Sequence, residues 1–194
     1  MKLSIELKCA SPPGWIEAVM SDFNRFLQDH ADCERKASAM AMSLVAKYPN
    51  RTEIIPDLID TALEELEHFK QVYEIMQQRG IQLKHEIEED LYVKALMSHL
   101  HSGQELRFLD RLLLASIVEC RGAERFRLVY EALEPGELKN FYHHLWASEA
   151  KHGNLFVKLA LNYFDEAVVY DRLGRLADAE AKILPTLALR PALH

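Results

Sequence analysis

Residues 64–69 read Glu64-Glu65-Leu66-Glu67-His68-Phe69, and residues 147–152 read Ala147-Ser148-Glu149-Ala150-Lys151-His152. Each stretch sets a carboxylate and an imidazole three residues apart, about 60° apart around a helix, so one helical face can present both as ligands. Glu-x-x-His by itself is a weak signal, because 20 Glu and nine His among 194 residues give roughly one such match by chance. The weight comes from what precedes each stretch. Glu34 lies 65 − 34 = 31 residues before Glu65, and Glu119 lies 149 − 119 = 30 residues before Glu149. The chain therefore reads as two helix pairs in pseudo-repeat, each bringing one Glu from its first helix and one Glu-x-x-His from its second. A helical bundle that holds two metal ions uses an inward-pointing set of this kind.

Apolar periodicity supplies the helices that this reading needs. A first long helix is expected from Trp15 to about Lys47, ended by Tyr48-Pro49-Asn50, and a second from Thr52 or Pro56 to Arg79-Gly80, where glycine follows as a C-cap. Periodicity weakens from Ile81 to about Ser102, through the acidic Glu88-Glu89-Asp90, with a short helix from Leu91 to Leu100. A third long helix runs from about Gln104 to Ala132 and Glu134-Pro135-Gly136 breaks it. A fourth runs from Glu137 to about Tyr163, and Asp165 opens a fifth that ends near Ile183. Sustained alternation and hairpin turns are missing, so the fold is read as all-α. Short links within each helix pair and a long excursion between the pairs predict a ferritin-like four-helix bundle with one crossover, flanked by further helices, in a single domain over 1–194.

Composition narrows the function. With 49% hydrophobic and 27% charged residues, seven Gly and seven Pro, the chain is neither disordered nor collagenous. Its formal net charge of −7 argues against a generally basic nucleic-acid binder, leaving room for a local basic patch. Cys9, Cys33 and Cys120 are scattered and form no Cys-x-x-Cys pair, which removes a disulfide framework, a zinc knuckle and an iron–sulfur cluster. The opening Met1 to Lys8 alternates apolar and charged residues and is too short for a signal-peptide core, and no stretch approaches the ~18 uncharged residues of a membrane span, so a cytoplasmic protein is expected.

Charge then separates a metal site from a bare polar cluster. Glu34 sits among Leu27, Ala31, Ala37 and Ala41 at helical spacing, and Glu119 among Leu112, Ser116, Ala123 and Phe126, so both read as buried. Four carboxylates in an apolar core would lose solvation and repel one another; two divalent cations neutralise them while the imidazoles stay neutral. Oxygen and imidazole donors without thiolate suit iron or manganese, with iron preferred. The bland alternative is a solvated helix face carrying i,i+3 pairs, and the register of all six residues weighs against it. Glu64 and Glu67 read as solvent-facing. Glu124 competes with Glu119, but its offset of 149 − 124 = 25 from Glu149 breaks the repeat and Glu119 is preferred. Cys33 and Cys120 lie one residue from Glu34 and Glu119, about 100° around the helix, and read as core. His143-His144 reads as surface or core, and Arg107, Arg111, Arg121, Arg125 and Arg127 as a salt-bridged face.

Asp32-Cys33-Glu34-Arg35-Lys36-Ala37, the residues 64–69 quoted above, Val118-Glu119-Cys120-Arg121 with Glu124-Arg125-Phe126, and residues 147–152 follow one order. Together, from Pro12-Pro13-Gly14-Trp15 to the fifth helix, they resemble the bacterial tRNA-(2-methylthio-N6-isopentenyladenosine) hydroxylases, the MiaE family of the ferritin-like superfamily. The resemblance implies a non-haem diiron monooxygenase that hydroxylates the isopentenyl side chain of the hypermodified adenosine next to the tRNA anticodon, using O2 and two electrons. Glu34, Glu65, His68, Glu119, Glu149 and His152 would hold two iron ions. The prenyl group needs an apolar lining, for which Phe69, Phe126 or Phe156 are candidates. The anticodon loop of tRNA needs segregated cations, for which Arg121 and Arg125 are candidates with Arg51, Lys139, Arg172 and Arg175. No flavin or nucleotide fingerprint is present, so an external reductase is expected, and no stable protein partner can be inferred. A rubrerythrin-like peroxidase or iron-handling ferritin relative is the alternative on the same fold. A non-catalytic helical RNA-binding or scaffold protein is the second.

Overall fold

The computed structural model describes residues 6–85 and 89–194. Residues 1–5 of the alternating opening, and Glu88 of the acidic run in the connection, lie outside them. Seven α-helices are present among the described residues, with no strand: α1 (Gly14–Ser21), α2 (Phe23–Lys47), α3 (Ile55–Gln78), α4 (Leu91–Met97), α5 (Gln104–Ala132), α6 (Glu137–Leu161) and α7 (Glu166–Ile183). Single 3-10 turns at Thr52–Ile54 and Leu184–Thr186 precede α3 and follow α7. The chain divides into two compact units. One holds α2 and α3 with Arg190–Leu193; the other holds α4 to α7, the segment up to Ile16, and His194.

In the first unit α2 and α3 form a hairpin. The inward face of α2 carries Phe26, Leu27, His30, Ala31, Glu34, Ala41 and Leu44, and that of α3 carries Leu58, Thr61, Ala62, Glu65, His68, Val72 and Met76. Both sets recur at three- and four-residue steps, the amphipathic period of a helix. The Ser38 hydroxyl donates to the Ala62 carbonyl at 2.8 Å and sets the helices in register. Helix α3 ends as its glycine predicts. Gly80 takes φ 68°, its N–H reaches Gln77 O, and the Ile81 N–H reaches Met76 O, which together satisfy the last carbonyls.

The first long helix expected from sequence is divided. Asp22 adopts φ −144° and ψ 70°, and its carboxylate accepts the Arg25 N–H at 3.0 Å, making it the N-cap of α2. A short acidic side chain competes for backbone donors and turns a helix interior into a helix start. Shorter differences occur at α4, which stops at Met97 instead of Leu100, and at α6, which stops at Leu161.

In the second unit α5 packs along α6 and also contacts α7. Gly153 lets α5 and α6 approach: a Cβ there would meet Cys120 Sγ at 2.5 Å, and the Ser116 hydroxyl donates to the Gly153 carbonyl. A buried ion network ties the rest together. Arg121, wholly buried, donates Nε–H to Glu180 Oε1 at 2.9 Å, reaches Glu124 Oε2 at 3.1 Å and donates to the Cys9 carbonyl at 2.9 Å. The Tyr92 hydroxyl donates to Glu180 at 3.1 Å. Glu124 accepts the Ser11 N–H at 2.9 Å and its hydroxyl at 2.7 Å. The Arg125 guanidinium lies 4.8 Å over Trp15 and donates to the Ser11 hydroxyl; burial lowers its pKa to about 10.

Asp110, also buried, accepts from Arg172 at 2.6 and 3.0 Å and from the His101 backbone N–H at 2.6 Å. Burial opposes ionisation of Asp110, but the Arg172 and His101 hydrogen bonds outweigh it and hold its carboxyl below the usual Asp range. With a depressed folded pKa, the stabilisation is complete above the unfolded value near 3.8 and is lost as pH falls through the folded value. Between pH 5 and pH 3, urea denaturation is therefore expected to show a smaller loss of stability in Asp110→Asn than in the native chain. Removing one partner from the buried Arg121–Glu180 pair leaves the other charge without compensation, so Glu180→Ala is expected to cost about 3–5 kcal/mol in the same measurement at neutral pH.

Candidate metal centre

Each unit gathers one copy of the repeated donor set. In the first, α2 supplies Glu34 and α3 supplies Glu65 and His68; each offers a ligand atom within 4.8 Å of the other two. His68 Nδ1 lies 3.1 Å from Glu65 Oε2 and 3.7 Å from Glu34 Oε2. In the second, α5 supplies Glu119 and α6 supplies Glu149 and His152, again with donors within 4.8 Å of one another. His152 Nδ1 lies 3.6 Å from Glu149 Oε2. All six are buried, none more than 7% exposed. The spacing explains the grouping: Glu65 with His68, and Glu149 with His152, are one turn apart on inward faces, and small neighbours such as Ala31 and Ala115 leave room beside the partner Glu.

The donor set suits hard or borderline divalent cations. Two carboxylates and one neutral imidazole in each unit balance a +2 charge, and three side-chain ligands leave coordination positions for water or substrate. Thiolate plays no part in either triad. Cys33 and Cys120 are both partly buried; Cys33 Sγ approaches Asp29 Oδ2 at 3.8 Å, and Cys120 packs at Gly153.

Glu119 is the α5 residue grouped with Glu149 and His152, while its competitor Glu124 is engaged by Ser11 and Arg121. Arg121 and Arg125 do not form a phosphate-facing stripe. They sit in the buried network described above, because their partners Glu180 and Ser11 come from distant parts of the chain. Arg172 is drawn to Asp110 and Arg175 to Asp171 at 3.0 Å. Phe126 and Phe156 are core residues, with Phe126 against Tyr142 at 5.7 Å. Phe69 is partly exposed, stacks on Tyr73 at 6.3 Å and borders a small crevice with Asp32, Arg35, Leu83 and Lys84. Glu64 and Glu67 face solvent.

One residue of this site escaped the sequence reading. His30, wholly buried, lies one turn before Glu34 and its Nε2 is 2.7 Å from Glu34 Oε1. An ionised carboxylate only accepts, so the imidazole donates Nε2–H. That bond occupies one oxygen of Glu34 and leaves Oε2, the atom nearer His68, as the donor to a cation. The signal was present as a His four residues before a ligand Glu, and Ala115 stands at the corresponding place before Glu119. Outer hydrogen bonds of this kind orient ligands, and their loss costs about 10–100-fold in metal affinity. His30→Ala is expected to weaken ferrous-ion binding by that factor in a chelator-competition titration, with His30→Gln retaining part of it.

The sequence model of one family, described as tRNA-(MS[2]IO[6]A)-hydroxylase (MiaE), matches residues 2–194. A curated protein of Pseudomonas putida named tRNA 2-(methylsulfanyl)-N(6)-isopentenyladenosine(37) hydroxylase is 35% identical over 92% of this chain and 86% of its own length. A protein of the same name from Salmonella typhimurium is 27% identical over 79% of this chain and 74% of its own. Among solved structures, a Synechococcus protein with aldehyde deformylating oxygenase activity superposes with a TM-score of 0.92 at 32% identity, covering 98% of this chain and 96% of that one. The all-α fold is therefore ferritin-like, as the loop lengths predict. A match across nearly every residue, on helices that carry a buried Glu and Glu-x-x-His in each unit, makes this chain a member of the MiaE family of tRNA hydroxylases.

Proposed function

We propose that the chain is a single ferritin-like diiron domain that hydroxylates the isopentenyl side chain of 2-methylthio-N6-isopentenyladenosine next to the tRNA anticodon. The observation that supports this most directly is the duplicated buried triad, Glu34/Glu65/His68 and Glu119/Glu149/His152, in a member of a tRNA hydroxylase family. In this reading each triad holds one iron ion, two per chain. Iron bound there supplies reduction of O2 and oxidation of a C–H bond, chemistry that protein side chains lack. The stoichiometry is R–H + O2 + 2 electrons + 2 protons → R–OH + H2O, with the electrons from an external reductase.

The chain's own groups set the conditions. The four carboxylates balance two divalent cations, and His68 and His152 bind as neutral imidazoles. His30 fixes the orientation of Glu34 through its 2.7 Å bond. Buried neighbours of the ligands, among them Leu27, Ala31 and Ala62 in one unit and Phe126, Leu145 and Phe156 in the other, keep bulk water from the donors. The modified base must leave the anticodon-loop stack to bring its side chain to such a site. No helix among the described residues is long and apolar enough to cross a membrane, in keeping with a cytoplasmic enzyme acting on tRNA.

The test is to load the reduced protein with iron, add tRNA carrying the prenylated, methylthiolated adenosine and O2, digest to nucleosides and measure mass. The expected product is the nucleoside with one added oxygen atom, derived from labelled O2, and about two irons bound per chain. Glu65→Ala and His152→Ala are expected to lose both the iron and the product. Consumption of H2O2 with no change in the nucleoside would replace this reading with a peroxidase.

A further inference from the structure

Outside the triads, the second unit carries an aromatic cluster on its surface where α5 and α6 meet. Tyr130 of α5 lies 5.3 Å from the His143 ring and 6.2 Å from Trp146 of α6, and His143 meets Trp146 edge-on at 5.8 Å. His143 and His144 are exposed, and Tyr130 and Trp146 are half-buried. Lys139 Nζ stands 4.9 Å from the Tyr130 ring centroid. Arg127, one turn before Tyr130, is exposed and holds Glu131 only at 3.8 Å. Phe126 and Tyr142 already fill the core between these helices, so packing of the interior does not account for three more rings placed partly in solvent.

We propose that Tyr130, His143 and Trp146, flanked by Lys139 and Arg127, form a stacking platform for unpaired bases of an RNA loop. Every base has a π-face, so exposed aromatic rings hold single-stranded nucleotides with little sequence demand, and adjacent cations take the phosphates. Position supports the assignment. Trp146 precedes Glu149 by three residues on α6, a rise of about 4.5 Å and a turn of about 60°, so bases held there lie beside the helix face that carries Glu149 and His152. This inference rests on the tRNA reading above. It moves the expected nucleic-acid contacts from the buried Arg121 and Arg125 to a surface that RNA can reach.

The test uses the full chain and a labelled, unmodified anticodon stem-loop RNA. In fluorescence anisotropy, Trp146→Ala and Tyr130→Ala are each expected to weaken binding about tenfold or more, with retained iron uptake showing that the variants fold. Because the chain has two Trp, Trp15→Phe leaves Trp146 as sole reporter, and its emission is expected to fall when RNA is added. Native-like binding by both alanine variants, or unchanged Trp146 emission at saturating RNA, would overturn the platform even if tRNA is hydroxylated. RNA binding that depends on Trp146, without oxygen insertion, would keep the platform and overturn the oxidative reading instead. Should Trp146→Ala fail to fold, Tyr130→Ala and the Trp146 emission decide.

Discussion

A carboxylate inside a helical hairpin is tolerable only beside something that answers its charge, and that constraint organises this molecule. Each unit buries two carboxylates and one imidazole of the candidate ligand set within 4.8 Å of one another. Neutral hydrogen-bond partners soften the cost of such a grouping, and a divalent cation removes most of it. The same rule governs the buried Glu180 and Asp110 and the partly buried Glu124, but there the answering charge is an arginine of the chain itself. Buried acids thus fall into two populations: those matched by guanidinium groups, which are structural, and those matched by imidazole nitrogens, which are suited to a metal.

The structural population serves the other. Glu119 and Arg121 are two residues apart on α5, one turned toward the triad and the other toward α7 and the Cys9–Ser11 segment. Pinning Arg121 from two directions limits rotation of α5 about its axis, and that rotation is what would move Glu119 relative to Glu149 and His152. On the α2–α3 hairpin the Ser38 to Ala62 bond restricts the same freedom without charge, while the His30 to Glu34 bond, made within α2, fixes the Glu34 side chain. Ligands held on rigid helices by supporting bonds are better defined than ligands held on loops.

What the sequence disclosed followed the range of the interactions. Glu65 with His68, Glu149 with His152, and the stops at Tyr48-Pro49, Gly80 and Pro135-Gly136 are local signals, and the structure brings these Glu and His side chains together and ends the helices accordingly. The interruption at Asp22 was missed because its capping bond to Arg25 competes with a helix on nearly equal terms. The reading of the α5 arginines as a salt-bridged face holds for Arg121, but the candidacy of Arg121 and Arg125 as tRNA contacts meets their burial, which was not legible because their partners are remote: Glu180 lies 59 residues from Arg121, and Ser11 lies 114 from Arg125. Periodicity can tell that such an arginine shares a face with core residues, but not that a distant acid will meet it there.

Gly153 carries a consequence for how the chain can vary in length. With Cys120 Sγ where a Cβ would stand and Ser116 bonded to its carbonyl, α5 and α6 are locked at a point just beyond Glu149 and His152. An insertion of one residue within either arm, between Cys120 and Ala132 or between Glu137 and Gly153, would swing everything beyond it by about 100° and scatter the donors. Added or deleted residues are absorbed instead in the turn around Glu134-Pro135-Gly136, so size differences among relatives of this protein should accumulate at that bend while the two rods keep a fixed count.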